Sequence, residues 1–88
     1  MSSYKMEWIS TPSHGYLKVE KKAVYSAGYE PSGYSYQNGK FFYLEEDCDA
    51  GEFFQALWGD EWRSEYVQAS INDRYTDNFI ESMAQRIV

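Results

Sequence analysis

Apolar and polar residues alternate loosely from Tyr4 to Ser10, and the alternation stops at Thr11-Pro12-Ser13-His14-Gly15, a cluster of turn formers. An extended pattern resumes over Tyr16-Leu17-Lys18-Val19-Glu20, so two short strands are predicted here. From Lys21 to Ala27 the spacing becomes helical, with Ala23, Val24 and Ala27 on one side and Gly28 as the stop, which predicts one or two turns of helix. Pro31, Ser32 and Gly33 then break the chain. Beyond them, Tyr34-Ser35-Tyr36-Gln37 and Lys40-Phe41-Phe42-Tyr43-Leu44 flank Asn38-Gly39. Asn-Gly between aromatic runs predicts a hairpin over 34–44, with both residues central in a type I′ turn because each tolerates positive φ.

After the hairpin, Asp49 and Glu52 stand in the Asp-x-x-Glu relation of a capping box, followed by Phe53, Phe54, Leu57, Trp58 and then Gly59. The spacing predicts a helix over 50–58 whose Phe53/Leu57 and Phe54/Trp58 pairs form an apolar stripe. A second helix is predicted over 76–87, from a Thr76 cap through Phe79, Ile80, Met83, Ala84 and Ile87. Between Asp60 and Tyr75 both strand and helix periods fit, and the pattern leaves that choice open. The fold expected is α+β: a small antiparallel sheet centred on the 34–44 hairpin and covered by the two helices. At 88 residues the chain is read as one domain over 1–88.

Composition changes the picture mainly through charge. The formal net charge is -6, but it is not evenly spread. Residues 1–44 hold five lysines against three glutamates, a net +2, whereas residues 45–88 hold three arginines against eleven acidic residues, a net -8. Glu45, Glu46, Asp47, Asp49, Glu52, Asp60 and Glu61 follow one another with no basic residue among them. A bland explanation is that acids near a helix start are favoured by its dipole. The sharper one is a negative surface that steers and binds a basic protein partner. The same charge disfavours direct binding to nucleic acid or to an anionic membrane. The absence of any apolar run near 20 residues argues against a membrane span. The lone Cys48 and an N-terminal stretch without an apolar signal core lead us to expect a cytoplasmic protein.

Chemical motifs are few. Asp47-Cys48-Asp49-Ala50-Gly51-Glu52 suggests a calcium loop, but the glycine and the bidentate glutamate fall at the wrong positions. One His and one Cys are too few for a closed zinc site. Cys48 with His14 could in principle pair as nucleophile and base, but the surrounding carboxylates should suppress the thiolate. His14 itself is expected to be a turn residue that hydrogen-bonds the backbone rather than a ligand. The aromatic ladder of Tyr34, Tyr36, Phe41 and Tyr43 could stack bases, yet it lacks a basic groove beyond Lys18, Lys21, Lys22 and Lys40. No catalytic residue, metal ligand or cofactor is therefore expected.

The succession Thr11-Pro12-Ser13-His14-Gly15-Tyr16-Leu17-Lys18-Val19, then Tyr34-Ser35-Tyr36, then Tyr43-Leu44-Glu45-Glu46-Asp47-Cys48-Asp49 resembles small acidic proteins encoded by bacteriophages and prophages. The resemblance spans roughly residues 11–58 and implies a bacterial host cell as the setting. It transfers no catalytic residue. Proteins of this size, charge and setting include inhibitors of host defence, among them anti-CRISPR and antirestriction proteins, some of which act as nucleic-acid mimics. The leading expectation is a non-enzymatic inhibitor or regulator that sets Glu45, Glu46, Asp47, Asp49, Glu52, Asp60 and Glu61 against a basic surface of a host protein. The alternative is an assembly module acting through homo-oligomerisation.

Overall fold

The computed structural model describes residues 6–12, 14–60, 71–75 and 84–87. Two strands open it, β1 (Met6–Ser10) and β2 (Gly15–Glu20), joined through the turn at Thr11–His14 and paired antiparallel with Trp8 opposite Leu17. Helix α1 (Lys21–Ser26) follows without a break. Its end is a Schellman motif: Gly28 takes φ 75° and donates to the Tyr25 carbonyl, while Tyr29 N–H reaches back to Val24. The glycine stop read from the sequence is in place.

The hairpin is also in place, built from β3 (Tyr36–Asn38) and β4 (Phe41–Glu45), but its turn lies one residue later than expected. Asn38 is paired with Phe41 as the last ladder residue, so the central positions are Gly39 and Lys40. Gly39 alone has positive φ, 60°, which is the requirement of a type II′ turn rather than of I′. The Lys40 carbonyl then accepts the Lys21 N–H and ties the turn to the start of α1.

Helix α2 (Asp49–Trp58) matches the predicted second apolar stripe: Phe53 and Phe54 are buried, Leu57 and Trp58 are half-buried, and Phe54 stacks on Trp58 at 5.2 Å between centroids. Beyond it, β5 (Ile71–Tyr75) resolves part of the ambiguous stretch as a strand. The helix expected over 76–87 is not what closes the described chain. Gln85–Arg86 form a short strand, β6, paired with Gln37 and Tyr36, and Ile87 N–H donates to the Ser35 carbonyl. Pairing with the exposed edge of β3 prevailed there over the helical spacing; 76–83 lie outside the described residues.

The six strands lie in the order β5-β1-β2-β4-β3-β6, antiparallel throughout except for the parallel pair β1 and β5 at one edge. Both helices pack on one face, where Met6, Leu17, Val19, Phe42 and Leu44 meet Ala23 and Val24 of α1 and Ala50, Phe53 and Phe54 of α2. The fold class is thus α+β, as expected. The opposite face is thinner: Ile9, Tyr16 and Tyr43 are buried there, with Tyr36 and Phe41 beside them. Lys18 lies over the Phe41 ring on that face and forms an ion pair with Glu7 at 3.8 Å.

Candidate functional site

The acidic run leaves the sheet at the end of β4 and enters α2, and the fold sorts its members into two kinds. Asp49 is the first residue of α2 and is 2% exposed. The residue that caps the helix is Cys48, with no side-chain capping bond, so the capping-box reading of Asp49 is corrected. Its carboxylate instead turns towards the loop between α1 and β3. Tyr29 donates to Oδ1 at 2.5 Å, Ser32 N–H donates to both oxygens at 3.1 Å, Ser32 Oγ donates to Oδ2 at 2.8 Å, and Ser35 Oγ donates to Oδ2 as well. Ser35, itself fully buried, also accepts the Glu45 N–H at 3.0 Å. Burial by itself would raise the Asp49 pKa, but the hydrogen bonds from Ser35, Tyr29 and Ser32 outweigh it and hold the carboxyl below its ordinary value. The same proximity, led by burial and then by the bond to Asp49, drives the Tyr29 phenol far above its ordinary range. Asp49 is therefore a structural acid that fastens a Pro/Ser/Gly-rich loop to α2. It is removed from the partner-binding set because its oxygens are consumed inside the protein.

The other described carboxylates of the run face solvent. Glu46, Asp47, Glu52 and Asp60 are exposed and Glu45 is half-buried, while Glu61 lies outside the described residues. Glu45 Oε2 accepts the Asp47 N–H at 3.1 Å, folding the tight turn between β4 and α2 over its own side chain. Glu52 lies 3.4 Å from the Tyr29 hydroxyl at the rim of the buried network. Asp60 sits beyond the far end of α2, where Gln55 Nε2 donates to it at 2.5 Å. The fold thus gathers Glu45, Glu46, Asp47 and Glu52 about the start of α2 and sets Asp60 apart. Among the described residues the ion pairs are Lys18 with Glu7 and Lys22 with Glu20, and none of these five acids is in one.

Cys48 stands in the middle of that turn. Burial, then its hydrogen bond to Glu45 and the charges of Glu45, Asp49 and Asp47, push its thiol up. This is the environment of an unreactive thiol, as the local sequence led us to expect.

No family model, curated protein or solved structure matches the chain. The site must therefore be judged on its own chemistry, which is that of unpaired carboxylates beside a hydrogen-bonded anchor. Sequence reasoning missed the anchor itself. Its signal was the loop Tyr29–Ser35, in which Tyr29, Ser32 and Ser35 stand at every third position.

Two exposed tyrosines, Tyr25 and Tyr34, lie by a shallow hollow shared with Glu30, Gln37, Phe42 and Arg86 on the β3–β6 side of the molecule. Tyr34 belongs to the loop that Asp49 holds, and its N–H donates to Ser32 Oγ at 3.2 Å. Among the described residues no helix is long and apolar enough to cross a membrane.

Proposed function

We propose that the protein acts by binding, as a phage-type inhibitor or regulator that occupies a basic, nucleic-acid-binding surface of a host protein in the bacterial cytoplasm. Glu45, Glu46, Asp47 and Glu52 form the contact, with Asp60 as an outlying member and Tyr34 as an aromatic anchor. The observation that supports this reading is the set of solvent-facing carboxylates around the start of α2 that no lysine or arginine among the described residues neutralises. Carboxylates left unpaired beside a loop fixed from within are available to a cationic partner at little conformational cost.

The test is reversal of Glu45, Glu46 and Asp60 to Lys, followed by capture of partners from bacterial lysate at low and high salt. The native protein should retain a partner at low salt and release it at high salt, and the reversed variant should capture none while keeping its circular dichroism spectrum. Capture undiminished in the variant would overturn the proposal. A second reading, assembly of copies through sheet edges, has one observation in its favour: β5 is five residues long and, among the described residues, is paired on one side only. Light scattering that shows a monomer at all micromolar concentrations would remove it.

A further inference from the structure

The turn between β1 and β2 and the exit of β4 meet at one end of the sheet, where Glu46 N–H donates to the Gly15 carbonyl at 3.1 Å. That contact brings His14 beside Glu45 and Glu46. One imidazole nitrogen and one oxygen from each carboxylate all lie within 4.8 Å of one another. We propose that these three residues form a binding site for a divalent transition metal ion, with water completing its coordination.

The backbone of His14 is fully engaged: its carbonyl accepts from Thr11 N–H at 2.9 Å and from Thr11 Oγ1 at 2.7 Å, and its N–H donates to Thr11 Oγ1 at 3.1 Å. The imidazole takes no part in this. It is exposed, makes no hydrogen bond among the described residues, and rests edge-on against Tyr16 at 6.3 Å and 81°. A hydrogen-bonded turn thus presents the imidazole to two carboxylates that lack an ion-pair partner among the described residues.

Gly15 supplies an independent observation. Its φ is not in the left-handed region, so conformation does not demand glycine there; space does. A Cβ at Gly15 would fall 2.8 Å from Glu46 Oε2 and 3.0 Å from Trp8 Cζ2. The missing side chain leaves the space beside Trp8 in which the Glu46 carboxylate lies against the strand.

The donor set selects the ion. One nitrogen and two carboxylate oxygens suit Zn²⁺, Mn²⁺ or Fe²⁺ better than the all-oxygen preference of Mg²⁺ or Ca²⁺. Bonds of about 2.1 Å would place the donor atoms roughly 3 to 3.5 Å apart, inside the 4.8 Å within which they already lie. Bound metal would also cancel charge within the acidic surface, but the site does not depend on that surface having a partner.

The experiment uses purified protein with Zn²⁺ or Mn²⁺ alone. His14 is the single histidine of the chain, so its imidazole resonances report the site without ambiguity. Titration calorimetry should show one saturable ion per chain, with a shift of the imidazole signals by Zn²⁺ and their selective broadening by Mn²⁺. His14→Ala and Glu46→Gln should each weaken binding at least tenfold, whereas Cys48→Ser and Glu52→Gln should leave it unchanged. All four positions lie in turns or on the surface of α2, and an unchanged circular dichroism spectrum confirms that each variant is folded. Lack of saturation at about 1 mM metal, binding that survives His14→Ala, or loss on Cys48→Ser would each overturn the assignment.

Discussion

Glu46 and Asp49 are three residues apart and count alike in any tally of charge, yet they belong to different parts of the molecule. Around Asp49 the protein has assembled donors: a phenol, two hydroxyls and a backbone N–H close on one carboxylate in the interior. Around Glu46 it has assembled the half-buried carboxylate of Glu45 and the exposed imidazole of His14. The first arrangement lowers the energy of an anion by hydrogen bonding and thereby fixes a loop. The second leaves anions at the surface, hydrated and within reach of a cation from outside. Charge along the sequence is therefore a sum of a structural contribution and a solvent-facing contribution, and burial separates them.

The largest expected effect breaks the interior half. Asp49→Ala leaves Ser35 and Ser32 N–H without their acceptor and should destabilise the protein by roughly 3 kcal/mol, with a fall in Tm on the order of 12 °C or more in thermal denaturation. Its pH dependence follows from the lowered pKa of Asp49. A depressed carboxyl contributes stability above its unfolded value, near 4, and loses it as pH falls through the folded value. The stability gap between native protein and Asp49→Asn should hold at neutral pH and narrow below about pH 4.

Tyr29→Phe comes next, at about 1 to 2 kcal/mol, because one donor to Asp49 is lost while the ring is kept. Here the sign is opposite. The Tyr29 pKa is raised, so its contribution is complete below the unfolded value near 10 and declines as pH rises further. The gap between native protein and Tyr29→Phe should accordingly close in alkali, and a gap independent of pH would show that the phenol does not donate to Asp49. The smallest effect sharpens the exposed half: Glu46→Gln and Glu52→Gln should each change stability by no more than about 0.5 kcal/mol in urea denaturation. A large loss from either would place that residue with Asp49.

Much of the fold was legible because its signals were local. Helix α2 carries its stripe at positions four apart, α1 ends at a glycine that only a positive φ explains, and the hairpin announces itself by Asn38-Gly39 between aromatic runs. The one-residue displacement of the turn was not legible, since Asn38 and Lys40 can both flank Gly39 and the choice depends on how β3 pairs with β4 and with β6. The strand at Gln85–Arg86 was hidden for the same reason. Its residues follow a helical apolar spacing, and only the open edge of β3, fifty residues away in the chain, recruits them. Asp49 was misread because a capping acid and a buried acid look identical in sequence; the distinction rests on Tyr29, Ser32 and Ser35, fourteen to twenty residues upstream. Glu45, Glu46, Asp47, Glu52 and Asp60 were placed on the surface by the structure, and His14 joined two of them through a strand pairing that no short motif encodes.

The strand order carries one more consequence. The four inner strands are complete by Glu45, whereas β5 and β6 come from beyond residue 70 and, among the described residues, lie at opposite borders of the sheet. The ribbon of inner strands is therefore available before β5 and β6, and both of its borders await strands from later in the chain. Ordering of the borders is governed by the slow search of contacts distant in sequence, β1 with β5 above all, and folding should be limited by that last docking event rather than by the hairpins at the centre.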